Sequence, residues 1–217
     1  MTTSRGGGSL PSLLLVGLLA LAPRPTWASV QTCPHDSIVV DLALTNSYFT
    51  VFDGRGVGQV FEARDTLLSS VSVWIQIPLD TLGFTIQLFL TTVDSTGLPN
   101  RDIILLGPVV RGGFGRTPKR VDFVLDPPFA LPTAGKYFFV VNEESCFGEF
   151  NVLADTTNPY SNGETWRTGS TLCDGRGPGG LVRPSYPTMD LIFNMKFCDT
   201  TTPVRRRTWG DLKIRYR

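Results

Sequence analysis

Apolar and polar residues alternate with period two along several stretches of the chain. From Ser69 to Ile77, Val71, Val73, Ile75 and Ile77 share one face, while Ser72, Trp74 and Gln76 share the other. That is the pattern of a strand buried on one side. From Gly83 to Thr92, Phe84, Ile86, Leu88 and Leu90 alternate with Thr85, Gln87, Phe89 and Thr91. Between the two runs, Pro78-Leu79-Asp80 and Thr81-Leu82-Gly83 form a turn and a break. Val121, Phe123 and Leu125 alternate with Asp122 and Val124 up to Asp126-Pro127-Pro128. Prolines lack an N–H, so this triplet is expected to interrupt the ladder. Gly135 to Asn142 is apolar on both faces, which predicts a central strand. Shorter candidates are Ile38 to Leu44, Val57 to Ala63, Ile103 to Val110, Gly148 to Leu153 and Asp190 to Phe197. The pattern thus predicts about nine strands. No window of twelve residues keeps a three-and-four apolar spacing, so almost no helix is expected in the body.

Strands this short and this numerous favour an all-β, two-sheet antiparallel β-sandwich of jelly-roll type over an open sheet with long exposed edges. Composition agrees: 41% of the 217 residues are hydrophobic and only 18% charged, with 22 Gly and 16 Pro for turns. These values exclude a coiled coil, a helical solenoid, a multi-pass membrane protein and a nucleic-acid binder driven by bulk charge.

The two ends read differently from the body. Residues 1–28 have the form of a secretory signal peptide: Arg5 ahead of an apolar run from Leu13 to Ala22, then Thr26 and Ala28 at small-residue cleavage positions. The apolar run is too short to span a bilayer. Residues 29–199 form the expected domain, and 200–217 a basic tail carrying Arg205, Arg206, Arg207, Lys213, Arg215 and Arg217 against one acid, Asp211. From 29 to 202 there are 12 basic and 18 acidic residues, so a net-acidic body sits beside a cationic end. The near-neutral total conceals this asymmetry.

Cys33, Cys146, Cys173 and Cys198 are an even set in a chain that reads as exported, which favours two disulfides. Three connectivities exist. Cys33 with Cys198, bracketing the body, and Cys146 with Cys173, closing a turn-rich excursion, are the favoured pairs. No spacing suits a metal centre, and no cofactor is expected. Asp53-Gly54 and Asp94 are candidate oxygen ligands for a structural calcium, with ordinary turn roles as the alternative.

Catalytic equipment is sparse. His35 is the single imidazole, two residues from Cys33. Glu143-Glu144 is the most conspicuous acidic pair, but adjacent strand residues point to opposite faces, and a solvated strand end is the expected reading. No catalytic residue is assigned. A binding surface is better supported, because Trp74 with Gln76, and Phe89 with Gln87, set an aromatic ring beside an amide on the faces away from the expected core. Such a platform suits a sugar ring, with C–H groups on the π face and hydroxyls on the amide. Tyr160 with Trp166 forms a second candidate pair, with a loop-anchoring role as the alternative.

Two resemblances follow from specific segments. The ending Trp209-Gly210-Asp211-Leu212-Lys213-Ile214-Arg215-Tyr216-Arg217 resembles a short W-G-x-[apolar]-K-x-x-Y-R tail found on many otherwise unrelated secreted bacterial proteins. Asp94-Ser95-Thr96-Gly97-Leu98-Pro99-Asn100, Ala134-Gly135-Lys136-Tyr137 and Asn158-Pro159-Tyr160-Ser161-Asn162-Gly163 are together similar to the D-x-x-G-L-P-G, A-G-x-Y and N-P-Y-x-x-G segments of secreted bacterial jelly-roll domains of carbohydrate-binding-module type. This chain has Asn100 where that family has Gly, and adds four cysteines. The resemblance implies a non-catalytic accessory or surface module. The expected function is therefore binding of a glycan or surface polymer outside the cell or at its surface. The alternative is a structural or adhesive surface protein that uses the tail for sorting or attachment.

Overall fold

The structure, a computed structural model, describes residues 31–52, 55–76, 84–112, 116–143, 149–169, 180–182 and 188–200. The segment read as a signal peptide, and all of the basic tail after Thr200, lie outside these residues.

The described chain is nearly all strand and forms two antiparallel sheets. One has seven strands: β1 (Gln31–Val39), β2 (Ser47–Phe52), β4 (Leu67–Gln76), β7 (Lys119–Ala130), β9 (Glu149–Asp155), β12 (Asp190–Leu191) and β13 (Phe193–Thr200). Its main order is β1-β13-β4-β9-β12, with β7 also on β4 and β2 also on β9. The other has six strands in the order β11-β10-β3-β8-β5-β6, namely β3 (Gly56–Ala63), β5 (Phe84–Val93), β6 (Pro99–Gly112), β8 (Gly135–Glu143), β10 (Thr165–Thr168) and β11 (Leu181–Val182). The all-β sandwich is thus present, with thirteen strands among the described residues rather than about nine. Those not expected are β2, β10 and β11, which are short or lack sustained alternation, and the expected strand Asp190 to Phe197 is two, β12 and β13, separated at Ile192.

Two local expectations are corrected. The stretch Ile38 to Leu44 is not one strand: β1 ends at Val39, and Leu42–Leu44 is a single 3-10 turn. Asp41 starts it by accepting the Ala43 N–H at 2.9 Å. At Asp126-Pro127-Pro128 the ladder breaks but the strand does not end. Val124 pairs with Ser70 and Phe129 with Leu68, so β7 bulges by several residues and then rejoins β4.

The alternation decides which side chains meet. Val71, Val73 and Ile75 of β4, and Phe193 and Met195 of β13, share one cluster with Phe61 of β3, Phe139 and Val141 of β8, and Ile86 and Leu88 of β5. These positions come from both sheets, so this cluster is the interior of the sandwich. The Phe139 and Phe193 rings meet across it at 5.3 Å between centroids. At about 25 cal/mol per Å² of apolar area removed from water, this layer is the main favourable term of the fold.

β8 is central, flanked by β3 and β5, as its double-sided apolar sequence predicts. Its odd residues enter the interior, and its even ones, Phe138 and Val140, join Val60, Phe89 and Trp166 in a second buried cluster on the far face of the six-stranded sheet. Both faces of that sheet are therefore apolar and buried at its centre.

Candidate functional site

The outer face of the seven-stranded sheet carries Ser70, Ser72, Trp74 and Gln76 of β4, while Leu68, beyond a register shift, enters the core. Trp74 is half-buried there, and the register sets Arg120 of β7 opposite it. The Arg120 guanidinium carbon lies 5.5 Å from the centre of the Trp74 ring. Arg120 Nε donates to Asp122 Oδ1 at 2.6 Å, and its Nη2 donates to Ser72 Oγ at 3.0 Å. The Ser72 hydroxyl in turn donates to Asp122 Oδ1 at 2.5 Å. Gln76, also half-buried, donates through Nε2 to the Arg116 carbonyl at 2.6 Å, and its register partner is Asn151. A partly exposed indole is thus held in a row of donors and acceptors on the sheet surface. Such an array can stack an apolar ring face and bond the polar groups around its edge.

The other half of the expected platform is elsewhere. Gln87 and Phe89 lie on β5, in the opposite sheet, and Phe89 is 1% exposed. Its face is not the solvent side, because Val60, Phe138, Val140 and Trp166 cover and surround it. Gln87 is buried as well, and its Nε2 donates to the Gly107 carbonyl at 3.2 Å. Trp74 and Phe89 therefore do not form one exposed surface.

Tyr160 and Trp166 are also kept apart. Trp166 is buried in the far-face cluster. Tyr160 packs edge-on against Phe193 of the main core at 5.4 Å between centroids. Its hydroxyl accepts the Glu62 N–H at 2.9 Å, its own N–H donates to Asp190 Oδ2 at 2.8 Å, and burial pushes its phenol pKa up. These contacts make Tyr160 a loop anchor. Gly163, which ends the same loop, sits where a Cβ would fall 1.8 Å from the Val60 carbonyl oxygen.

The other resemblance segments have local structural roles too. Asp94 Oδ1 accepts the N–H groups of Thr96 and Leu98 and the Thr96 hydroxyl, and these bonds hold its carboxyl below the usual carboxylate range. Gly97 in this turn has φ +89°, a conformation open to glycine. The Tyr137 hydroxyl donates to the Thr133 carbonyl at 2.7 Å.

Asp53 and Gly54 lie outside the described residues, as do Cys146, Cys173 and Glu144. Among the described residues no three His, Cys, Asp or Glu side chains gather at one point. Glu143 is 1% exposed, so the expected solvated strand end is instead interior. His35 and Cys33 belong to β1, but their side chains are outside the described set. Cys198 is buried and is not a free thiol. The backbone pair Thr32 with Asp199 brings position 33 alongside position 198.

Residues that sequence reading missed as site components are Arg120, Asp122 and Ser72. Asp122 and Ser72 were legible as polar-face positions, but their meeting depends on β7 lying beside β4, a pairing no local pattern encodes. Compared with protein-family models, curated proteins and solved structures, the chain matches none.

Proposed function

We propose that this chain is a non-catalytic binding module that holds a glycan or similar polyhydroxylated polymer on the outer face of its seven-stranded sheet. The observation that carries this reading is the half-exposed Trp74 ring, framed by Arg120, Asp122, Ser72 and Gln76. A sugar would lay its C–H face along the exposed part of the indole while its hydroxyls bond to the carboxylate, guanidinium and amide. The signal-like amino end, the cationic tail and the resemblance to bacterial jelly-roll modules support export of the protein and action outside the cell. Gln87, Phe89 and Trp166 take no part in this reading because they are buried, and Tyr160 serves the fold.

Affinity electrophoresis through gels containing neutral and acidic polysaccharides tests it. Retardation of the wild-type protein in at least one gel, lost in Trp74→Ala and kept in Leu106→Ala, an exposed position on β6 of the other sheet, is the expected result. Equal mobility of wild type and Trp74→Ala in every gel would remove the reading.

A further inference from the structure

A cavity is formed by residues of β2, the start of β3 and β10. There β2 of the seven-stranded sheet approaches β3 and β10 of the six-stranded sheet. Thr50, Phe52, Arg55, Gly56, Arg167 and Thr168 line this cavity of about 320 Å³. Two guanidinium groups border this cavity. That of Arg55 is seated 4.4 Å above the Phe52 ring, and that of Arg167 4.9 Å above the Phe49 ring. Neither has a carboxylate partner among the described residues. The two cations feel one another. Burial first, and the nearby Arg55 charge second, draw the Arg167 pKa below its ordinary value.

Both arginines are exposed residues, so their guanidinium groups can be reached from solvent. The stretch 29–202 carries more acids than bases, yet among the described residues these two arginines converge without an acidic partner. Aromatic seating fixes both side chains in place, reducing the ordering cost of holding a ligand between them. Gly56 N donates to Thr168 Oγ1 at 2.6 Å, an acceptor role that leaves the threonine hydrogen to donate elsewhere. The cavity thus offers two planar cationic forks and a hydroxyl donor. Among the described residues, its lining contains no acidic side chain. Guanidinium forks match the paired oxygens of carboxylate and sulfate groups.

We propose that this cavity is an oxyanion-binding site, taking the carboxylate or sulfate of a ligand about the size of one sugar residue between Arg55 and Arg167. It is separate from the Trp74 face and stands without it.

The test is an NMR titration of the full chain, following the arginine Nε–H resonances. Sodium glucuronate, sodium sulfate and glucose are added in turn, with sodium chloride at matched ionic strength as the control. Saturable shifts at Arg55 and Arg167 with glucuronate or sulfate, and not with glucose or chloride, are expected. Which of the two anions binds more tightly separates a carboxylate site from a sulfate site. Arg167→Gln and Arg55→Gln should each weaken binding by about tenfold or more. The proposal is overturned if neither anion moves these two resonances beyond the chloride control. It is overturned as well if the anions bind with affinity unchanged in both variants. The wild-type titration reads the site directly, so it decides the matter even if a variant folds poorly.

Discussion

Gln59 Nε2 donates to Asp190 Oδ1 at 2.7 Å, joining β3 of one sheet to β12 of the other through the interior. Gln59 Oε1 in turn accepts the Leu191 N–H at 3.0 Å and the Thr165 hydroxyl at 2.5 Å. Asp190 Oδ2 takes the Tyr160 N–H. One amide and one carboxylate, both buried, thereby tie the two sheets and the Asn158 to Gly163 loop to a single point. Their donors and acceptors are matched, which is what makes buried polar groups tolerable.

Burial raises the Asp190 pKa from 3.8 to about 6, against the opposing pull of the Tyr160 and Gln59 hydrogen bonds. A carboxyl whose folded pKa exceeds its unfolded one binds its proton more readily in the folded state. Its contribution to stability is therefore greatest below the unfolded value, and declines as pH rises from about 4 to about 6. The decline has an upper bound of about 3 kcal/mol at 1.36 kcal/mol per pKa unit. Urea unfolding at a series of pH values should show this decline in the wild type and a flatter profile in Asp190→Asn. The variant should also be less stable at low pH by about 1–3 kcal/mol, since an amide cannot accept from both Gln59 and Tyr160 with its nitrogen in place of one oxygen. Parallel pH profiles in the two proteins would contradict the assignment.

Gly163→Ala should be among the most damaging single changes in the loop. The added Cβ would press on the Val60 carbonyl oxygen, which is held in β3 and cannot rotate away as a side chain could. Displacing the loop would strain the Tyr160 anchor and its bonds to Glu62 and Asp190. A loss of about 2–4 kcal/mol is expected from overpacking of this kind, read as a lower urea midpoint with unchanged slope. Wild-type stability in this variant would show that the loop is not clamped on β3.

Trp74→Ala and Phe89→Ala should differ sharply in stability. Phe89 is enclosed in the far-face cluster, so truncation should cost about 3–5 kcal/mol. Trp74 is half-exposed, and its truncation should cost about 1–2 kcal/mol by loss of partial burial and the Arg120 contact. Thermal or urea melts of the two variants check the contrast. Similar losses would mean that the faces of β4 and β5 have been wrongly distinguished.

That same pair marks what the sequence could reveal. Val71, Val73 and Ile75, or Ile86, Leu88 and Leu90, name the core face of each strand because a one-sided strand has a two-residue repeat. The repeat does not say whether the opposite face is covered. Around Phe89 the covering residues, Val60, Phe138, Val140 and Trp166, come from three other strands distant in sequence. Trp74 looks the same locally, yet its neighbours are Arg120, Asp122 and Ser72. Sheet membership made the difference, and it is a property of long-range pairing. Arg55 and Arg167 were illegible as a pair for the same reason: 112 positions apart, they meet only because β10 lies beside β3. The Gln59–Asp190 tie had no sequence signal beyond a glutamine on the apolar face of β3.

The edge strand β1 offers a last prediction. Its pairing with β13 is irregular, with register shifts between Thr32 and His35 and again between His35 and Ile38. Such a ladder is weakly specified by hydrogen bonds alone. Cys198 lies beside position 33 in this register, and a Cys33–Cys198 bridge would pin β1 where its ladder is least regular. We therefore expect a non-reducing proteolytic digest to yield one peptide pair joined through these two residues, with Cys146 joined to Cys173. Cys33→Ser should lower stability by about 2–4 kcal/mol through the freed unfolded chain, and should raise hydrogen exchange in β1 before β4 or β8. Recovery of Cys198 linked to Cys146 or Cys173 would overturn the pairing, and would mean that β1 is held by its backbone ladder alone.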